Sequence, residues 1–290
     1  MARRLASIVG MGALALLAVF APAADAGAQG TRAGGRKRRF GIATNYRQIH
    51  IYVSDSGATI PETTTEGLQT FFLHEQEGKG THEMIVRRIP AGMSEDEVVR
   101  AVSAGRLDGL ALSALGGPGV PDTTGNAAVQ IDVRPGRYLI AVQSLDARGR
   151  RRIAQGDFGV LRVVGIVRYN VAVPPLIHSL VRIKDDAITL SRGIDAGPTI
   201  LQVEDLGPSA HELVVRKLKP GTTRAAAIRW LETRKGPAPF TQVGGVTMLS
   251  RGRSAYAYLP FEKGQYLFSC DLAGHGHQPY ALSTVVTVAR

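Results

Sequence analysis

The sequence predicts a mostly β fold of two tandem Greek-key β-sandwiches, each with one inserted α-helix. A motif around His82 recurs around His211, and the segment 136–142 recurs as 264–270, so the chain is a tandem duplication. Between turns rich in Gly, Pro, Asp and Asn, both halves contain short runs of Val, Ile, Thr, Tyr and Phe, which are typical of strands. Several short strands in each repeat favour a sandwich.

The first 26 residues are predicted to be a secretory signal peptide. Residues 1–4 are basic, residues 5–20 form an apolar run too short to span a bilayer comfortably, and residues 24–26 are small enough for cleavage. We therefore expect a periplasmic or secreted protein with no transmembrane segment after cleavage.

Residues 27–42 are predicted to form a basic, disordered linker. The chain has a formal net charge of +11, and five of its cations fall in this linker: Arg32, Arg36, Lys37, Arg38 and Arg39. Such an arm can touch anionic surfaces through nonspecific electrostatics. No aromatic residues interleave with the basic run, so nucleic acid is not an expected partner.

The first repeat is predicted to occupy residues 43–166. Its strands are expected at 49–53, 69–74, 82–88, 128–133, 138–144 and 158–164. A helix is expected between strands, because Ser94 and Glu97 have capping-box spacing and apolar residues follow at helical period.

The second repeat is predicted to occupy residues 172–290. Its strands are expected at 176–184, 199–204, 211–217, 253–259, 266–270 and 283–288. Its helix is expected to follow Thr222 or Thr223. In both repeats a Gly-Gly pair, 116–117 and 244–245, is expected to return the chain from the helix to the sheet.

Cys270 is the single cysteine, so an internal disulfide is excluded. It stands where the first repeat has Val142. Three roles are open for it: a buried apolar side chain, an intermolecular link, or a metal ligand. Chemistry that needs a His and a thiolate is therefore confined to the second repeat.

The order of these motifs resembles the cupredoxin superfamily, particularly its exported cupredoxin-like branch. The motifs are a Gly-containing turn, His-Glu-Leu-Val-Val at 211–215, a helix, a Gly-Gly pair, and Gly-Gln-Tyr-Leu-Phe-Ser-Cys at 264–270 before a His-bearing loop. The resemblance covers nearly all of both repeats. It implies a blue-copper site of two imidazoles and one thiolate with a weak axial ligand. The ligands it implies are His211, Cys270 and either His275 or His277.

Several residues depart from the blue-copper pattern. Pro279 stands at the axial position, with Gln278 one residue earlier, and Tyr280 stands where the longer loops of the branch carry a ligand His. His82 occupies the place of His211 in a repeat that has no thiol, so a structural role for this His is an equal alternative. Glu83 and Glu212 are expected on the opposite face of the strand from the His.

Two functions remain open at this stage. One is a non-enzymatic binding or scaffold protein that meets an unknown protein or redox partner. The other is a mononuclear copper protein, either an electron carrier or a copper holder. A copper oxidase or nitrite reductase is not expected, because Asp271 follows Cys270 where such enzymes carry a His. No other catalytic motif is present, such as Gly-x-Ser-x-Gly or His-Glu-x-x-His.

Overall fold

β-Strands dominate the part of the chain that the computed structural model describes, which is residues 47–54, 57–75, 81–119, 125–145, 151–153, 156–165, 173–272 and 278–289. The first repeat contains β1 Arg47–Ser54, β2 Gly57–Thr59, β3 Thr63–Thr65, β4 Gly67–Glu75, β5 Thr81–Ile89, β6 Ser113–Gly116, β7 Asn126–Val133, β8 Gly136–Leu145, β9 Arg151–Arg152 and β10 Phe158–Val164. The second contains β11 Ser179–Lys184, β12 Ala187–Leu190, β13 Gly197–Asp205, β14 His211–Leu218, β15 Phe240–Leu249, β16 Ser254–Phe261, β17 Gly264–Ser269 and β18 Ser283–Val288. The mostly β prediction is confirmed.

Two large sheets run through both repeats. Sheet I has the order β12-β11-β13-β16-β7-β4-β1-β2, and sheet II has the order β18-β17-β14-β15-β6-β5-β8-β10-β3, with β9 added beside β8. Each repeat supplies four strands of sheet I, and sheet II takes six strands from the first repeat and four from the second, so each repeat is a sandwich in its own right. Most neighbours are antiparallel, but the first strand of each repeat is parallel to its partner, β1 to β4 and β11 to β13.

A pseudo-twofold axis relates the repeats at the two places where the sheets join. Gly136 and Gly264, which open the same motif, are 128 positions apart. In sheet I, β7 pairs antiparallel with β16 so that Val129 lies opposite Ala257. In sheet II, Pro118 lies opposite Val246. Each of these residues therefore pairs with its own counterpart in the other repeat, as an isologous contact requires.

The repeated Gly-Gly pair lies at the join in sheet II. The Gly119 N–H donates to the carbonyl of Gly245 at 3.2 Å, and the Thr247 N–H donates to the carbonyl of Gly117 at 3.0 Å. A Cβ at Gly117 or Gly245 would overlap a backbone carbonyl of the adjacent strand, and Gly245 has a φ of 149°. Only glycine allows this close approach. The sequence predicted only that the pair returns the chain to the sheet. In the structure the carbonyls of Gly117 and Gly245 also accept hydrogen bonds from the other repeat.

The repeated Gly-x-Tyr-Leu motif closes a turn in each repeat. The Tyr138 hydroxyl accepts from the N–H of Arg134 at 2.9 Å and donates to the Arg134 carbonyl at 2.7 Å. The Tyr266 hydroxyl makes the same two bonds with Glu262, at 2.9 and 3.0 Å. Both rings are fully buried, so each side chain fills the core with its ring and ties down a turn with its hydroxyl.

The two helices are α1 Glu95–Ser103, followed by a 3₁₀ turn at Leu107–Gly109, and α2 Arg224–Thr233. Their N-caps are Ser94 and Thr223, whose side chains accept backbone N–H bonds of 3.1 and 3.2 Å. Each packs on the outer face of sheet II within its own repeat. Within the described residues, neither helix has the length and hydropathy that crossing a membrane requires.

Candidate functional site

His211 begins β14 and points into the sandwich, where it is completely buried. Its Nδ1 lies 2.9 Å from Oδ1 of Asp205, and its Nε2 lies 3.1 Å from Oδ1 of Asp185. Asp205 is also completely buried, and the same Oδ1 accepts the Gly207 N–H at 3.0 Å. Both ring nitrogens of the predicted copper ligand therefore face carboxylate oxygens.

The first repeat holds its corresponding histidine in a related way. His82 Nδ1 lies 3.2 Å from Oε1 of Glu75, and the same oxygen accepts the His82 N–H at 2.9 Å. Glu75 and Asp205 are equivalent, because each ends the strand of sheet I that precedes the histidine. In both repeats a His–carboxylate pair thus connects sheet I to sheet II where the chain crosses between them. A buried pair of this kind fixes the crossing connection only while both partners are present.

Cys270 follows β17 and lies in the main core with no exposed surface. Burial, with the nearby carboxylates of Glu212 and Asp271 adding to it, raises the pKa of the Cys270 thiol to about 12. The register of β14 with β17 sets Val214 opposite Ser269, so Cys270 and His211 both project toward the core face. At neutral pH the side chain of Cys270 is a protonated thiol, and metals bind the thiolate.

Two of the four predicted copper ligands, His211 and Cys270, lie among the described residues. His211 has carboxylates near both ring nitrogens, and Cys270 has no exposed surface. His275 and His277, the remaining predicted ligands, lie outside the described residues. Within the described ranges, no group of three or more His, Cys, Asp and Glu side chains could hold a metal ion.

Tyr280, which the resemblance placed at a ligand position, is used for packing. Among the described residues, Tyr280 and Arg234 are the two non-glycine residues with positive φ, and the φ of Tyr280 is 63°. Its hydroxyl accepts from Nη2 of Arg234 at 3.2 Å, and its ring packs against the cluster beneath α2. It therefore joins the last loop to the second helix.

Charged side chains are buried on the outer face of sheet II, which the sequence did not predict. Arg216 is 3% exposed, forms a two-pronged ion pair with Asp271, and donates to Ser269 Oγ at 2.7 Å. The Asp271 N–H in turn donates to Oε1 of Glu212 at 3.2 Å. Glu212 is thus on the face opposite His211, as predicted, and belongs to a charged network.

The first repeat has lost most of this network. Arg87 is the counterpart of Arg216 and is 5% exposed, but its ion-pair partner Asp108, at 3.2 Å, has an almost fully exposed side chain. Its Nη2 also contacts Sδ of Met248 at 3.4 Å, and its buried Nε, like that of Arg216, has no hydrogen-bond partner among the described residues. Burial lowers the pKa of Arg87, with Asp108 opposing this effect.

Arg87 lines a cleft of about 980 Å³ that extends across the join of the repeats. The first repeat supplies an apolar wall of Ile85, Val102, Leu107, Leu110 and Leu112. Glu83 and Gln143 of the first repeat also line it, and the second repeat adds Glu212, Thr247, Met248 and Leu272. The cleft thus combines an apolar wall with a buried guanidinium, and both repeats are needed to form it.

Comparison with known proteins matches structures but not sequences. No protein-family model matches the chain, and neither does any curated protein. An auracyanin from Roseiflexus castenholzii is 18% identical over 38% of this chain and 95% of its own, with a TM-score of 0.27. A multicopper oxidase is 9% identical over 83% of this chain and 88% of its own, with a TM-score of 0.24. A Cu-containing nitrite reductase from Thermus scotoductus SA-01 is 10% identical over 84% of this chain and 62% of its own, also with a TM-score of 0.24.

All three likenesses fall below 25% identity and below a TM-score of 0.5, so they carry no argument about the family or the site of this chain. The sandwich architecture is given by the order and pairing of its own strands.

We predict that Asp205→Asn destabilises the protein by about 2–4 kcal/mol, because it removes the charge that faces buried His211. Glu75→Gln is the matched change in the first repeat, where the carboxylate is 19% exposed, and it should cost less than about 1 kcal/mol. The free energy of unfolding in urea measures both. A cost below about 0.5 kcal/mol for Asp205→Asn would contradict a structural role for His211.

Proposed function

We propose that the chain is an exported, non-enzymatic binding protein whose ligand occupies the cleft across the join of the repeats. The observation that carries this proposal is the buried guanidinium of Arg87, whose Nε faces no partner in the described chain while it lines an open volume of about 980 Å³. Small-molecule sites typically combine an apolar cleft with a few placed polar groups, in volumes of about 300–1,000 Å³. Export is supported by the predicted signal peptide.

The polar groups of the cleft indicate the class of ligand. Glu212 already accepts the N–H of Asp271, whereas the donor capacity of Arg87 is not filled. A guanidinium binds carboxylates in a two-pronged manner, and such bonds are among the stronger hydrogen bonds in proteins. The ligand we propose is therefore amphipathic, with a carboxylate at Arg87 and an apolar body against the wall of Leu107, Leu110 and Leu112.

The experiment uses sodium octanoate as the probe and titration calorimetry as the readout. We expect octanoate to bind the purified protein, and Arg87→Gln to weaken binding at least tenfold, or about 1.4 kcal/mol. Arg134→Gln is the matched control, because Arg134 is a surface residue paired with Asp132 and 69% exposed. Octylamine should bind much more weakly than octanoate.

Two results would contradict this function. One is the absence of octanoate binding to a wild-type protein that unfolds cooperatively. The other is an equal affinity of Arg87→Gln and wild type, which would place any binding elsewhere.

The second candidate is the copper protein that the sequence resemblance implies. Its support is that His211 and Cys270 project to the same core face of neighbouring strands. Electron transfer through such a site would need the Cys270 thiolate. The full burial of Cys270 and the carboxylates around His211 favour the binding protein instead.

We predict that copper(II) added to the protein at pH 7 produces no intense thiolate-to-copper band in the visible spectrum. The reason is that Cys270 has no exposed surface and that both ring nitrogens of His211 face carboxylates. Cys270→Ser should give the same spectrum as wild type. An intense band in wild type that Cys270→Ser abolishes would overturn this prediction and support the copper protein.

A further inference from the structure

Two histidines meet on the outer face of sheet I, far along the chain from Cys270. His50 lies on β1 and His74 on β4, and these strands are adjacent and parallel. His50 Nδ1 is 2.8 Å from His74 Nε2. The rings of Tyr52 and Phe72 flank the pair, with centroids 4.8 Å from His74 and His50 respectively. Aromatic stacking on each side thus holds the orientation of both imidazoles.

The outer nitrogens of the pair face amide oxygens. His74 Nδ1 is 2.7 Å from Oδ1 of Asn126, and His50 Nε2 is 3.2 Å from Oε1 of Gln48. An amide oxygen only accepts, so each outer nitrogen carries the ring proton in a neutral imidazole. With both ring protons on the outer nitrogens, the inner nitrogens, 2.8 Å apart, present two converging lone pairs. A cation between them, either a proton or a metal ion, satisfies both.

We propose that His50 and His74 form a surface site for a divalent transition-metal ion, bound most tightly when the ion is copper(II). Imidazole nitrogen is a preferred ligand for such ions, and copper(II) heads the affinity order for nitrogen donors. Water completes the coordination, so the site needs only these two side chains. The amides of Asn126 and Gln48 act as outer partners that fix the ring tautomers.

The spacing of the two nitrogens distinguishes between metals. Nitrogens bound at about 2.05 Å lie about 2.9 Å apart at a 90° angle and about 3.3 Å apart at the tetrahedral angle. The separation of 2.8 Å therefore matches a cis pair in a tetragonal site. Copper(II) and nickel(II) take that geometry, whereas zinc prefers the tetrahedral one.

The pair is also accessible to a metal ion. The exposed fraction is intermediate for both side chains, so an ion can reach them from solvent.

The second repeat provides an internal control because it lacks the pair. Its strand pairing places Glu204 where the first repeat has His74, and Glu204 faces Arg182 at 3.6 Å. The same pairing places Leu180 where the first repeat has His50. The nearby His178 accepts the N–H of Ile200 on its Nδ1 at 3.0 Å. Duplication thus left the histidine pair in one repeat only.

The test is a calorimetric titration of the purified protein with glycine-buffered copper(II). We expect wild type to bind one equivalent of copper(II) at this site, and both His50→Gln and His74→Gln to lower the affinity for that equivalent at least tenfold. His178→Gln is the matched control and should retain that equivalent, as should Cys270→Ser. Nickel(II) should bind to the same site, and zinc(II) more weakly than either.

A second measurement uses wild-type protein alone, so its result does not depend on whether the variants fold. In wild-type protein, substoichiometric copper(II) should broaden the ring NMR signals of His50 and His74 before those of His178. The proposal fails if both Gln variants retain every copper equivalent of wild type, or if the signals of His50 and His74 are not among those first broadened. An equivalent lost only in Cys270→Ser would place the metal at the other end of the fold.

Discussion

The structure depends on the antiparallel pairing of each repeat with its own counterpart at two places. Val129 faces Ala257 in sheet I, and Pro118 faces Val246 in sheet II, so one pseudo-twofold axis passes through both joins. The joins turn two small sandwiches into one pair of long sheets with a shared core. Glycine at 117 and 245, whose carbonyls accept the hydrogen bonds of the join, also lets the chain lie close to β5 and β14 of its own repeat, where any Cβ would collide with a carbonyl. The cleft forms across this join, because its wall comes from one repeat and Glu212 and Met248 come from the other.

The repeats retained the features that hold the sheets and diverged in their polar side chains. Each kept a histidine bound to a carboxylate between the sheets, a tyrosine that closes a turn, and a capped helix on sheet II. Cys270 stands where the first repeat has a valine, and the network of Arg216 in the second repeat contrasts with the buried guanidinium of Arg87, whose one ion-pair partner is exposed. Functional differences therefore arise where the twofold symmetry is broken.

Much of the fold could be predicted from the sequence because the periodicity of strands and the duplication are local signals. The predicted strands fall within observed ones except at their ends; for example, the strand expected from 176 begins at Ser179. β15 was missed because its Gly-Gly pair has low strand propensity and was interpreted as a connection. The joins were missed too, because pairing between distant strands leaves no local pattern.

The candidate site was only partly predictable for a similar reason. The opposite faces of His211 and Glu212 follow from the alternation of a strand. The carboxylates at His211 could not be predicted, because Asp185 and Asp205 reach it from other strands or loops of the fold. His50 and His74 were assigned to strands with no sign of contact, since parallel neighbours 24 residues apart carry no motif.

The most direct test of this account is hydrogen exchange of core amides in β5 and β14, measured as a function of urea concentration. If the joined sheets make the repeats one cooperative body, the slowest amides of both strands should converge on the same global free energy and the same urea dependence. Two distinct free energies, with one repeat opening while the other stays protected, would show that the joins do not couple the repeats and would contradict the account.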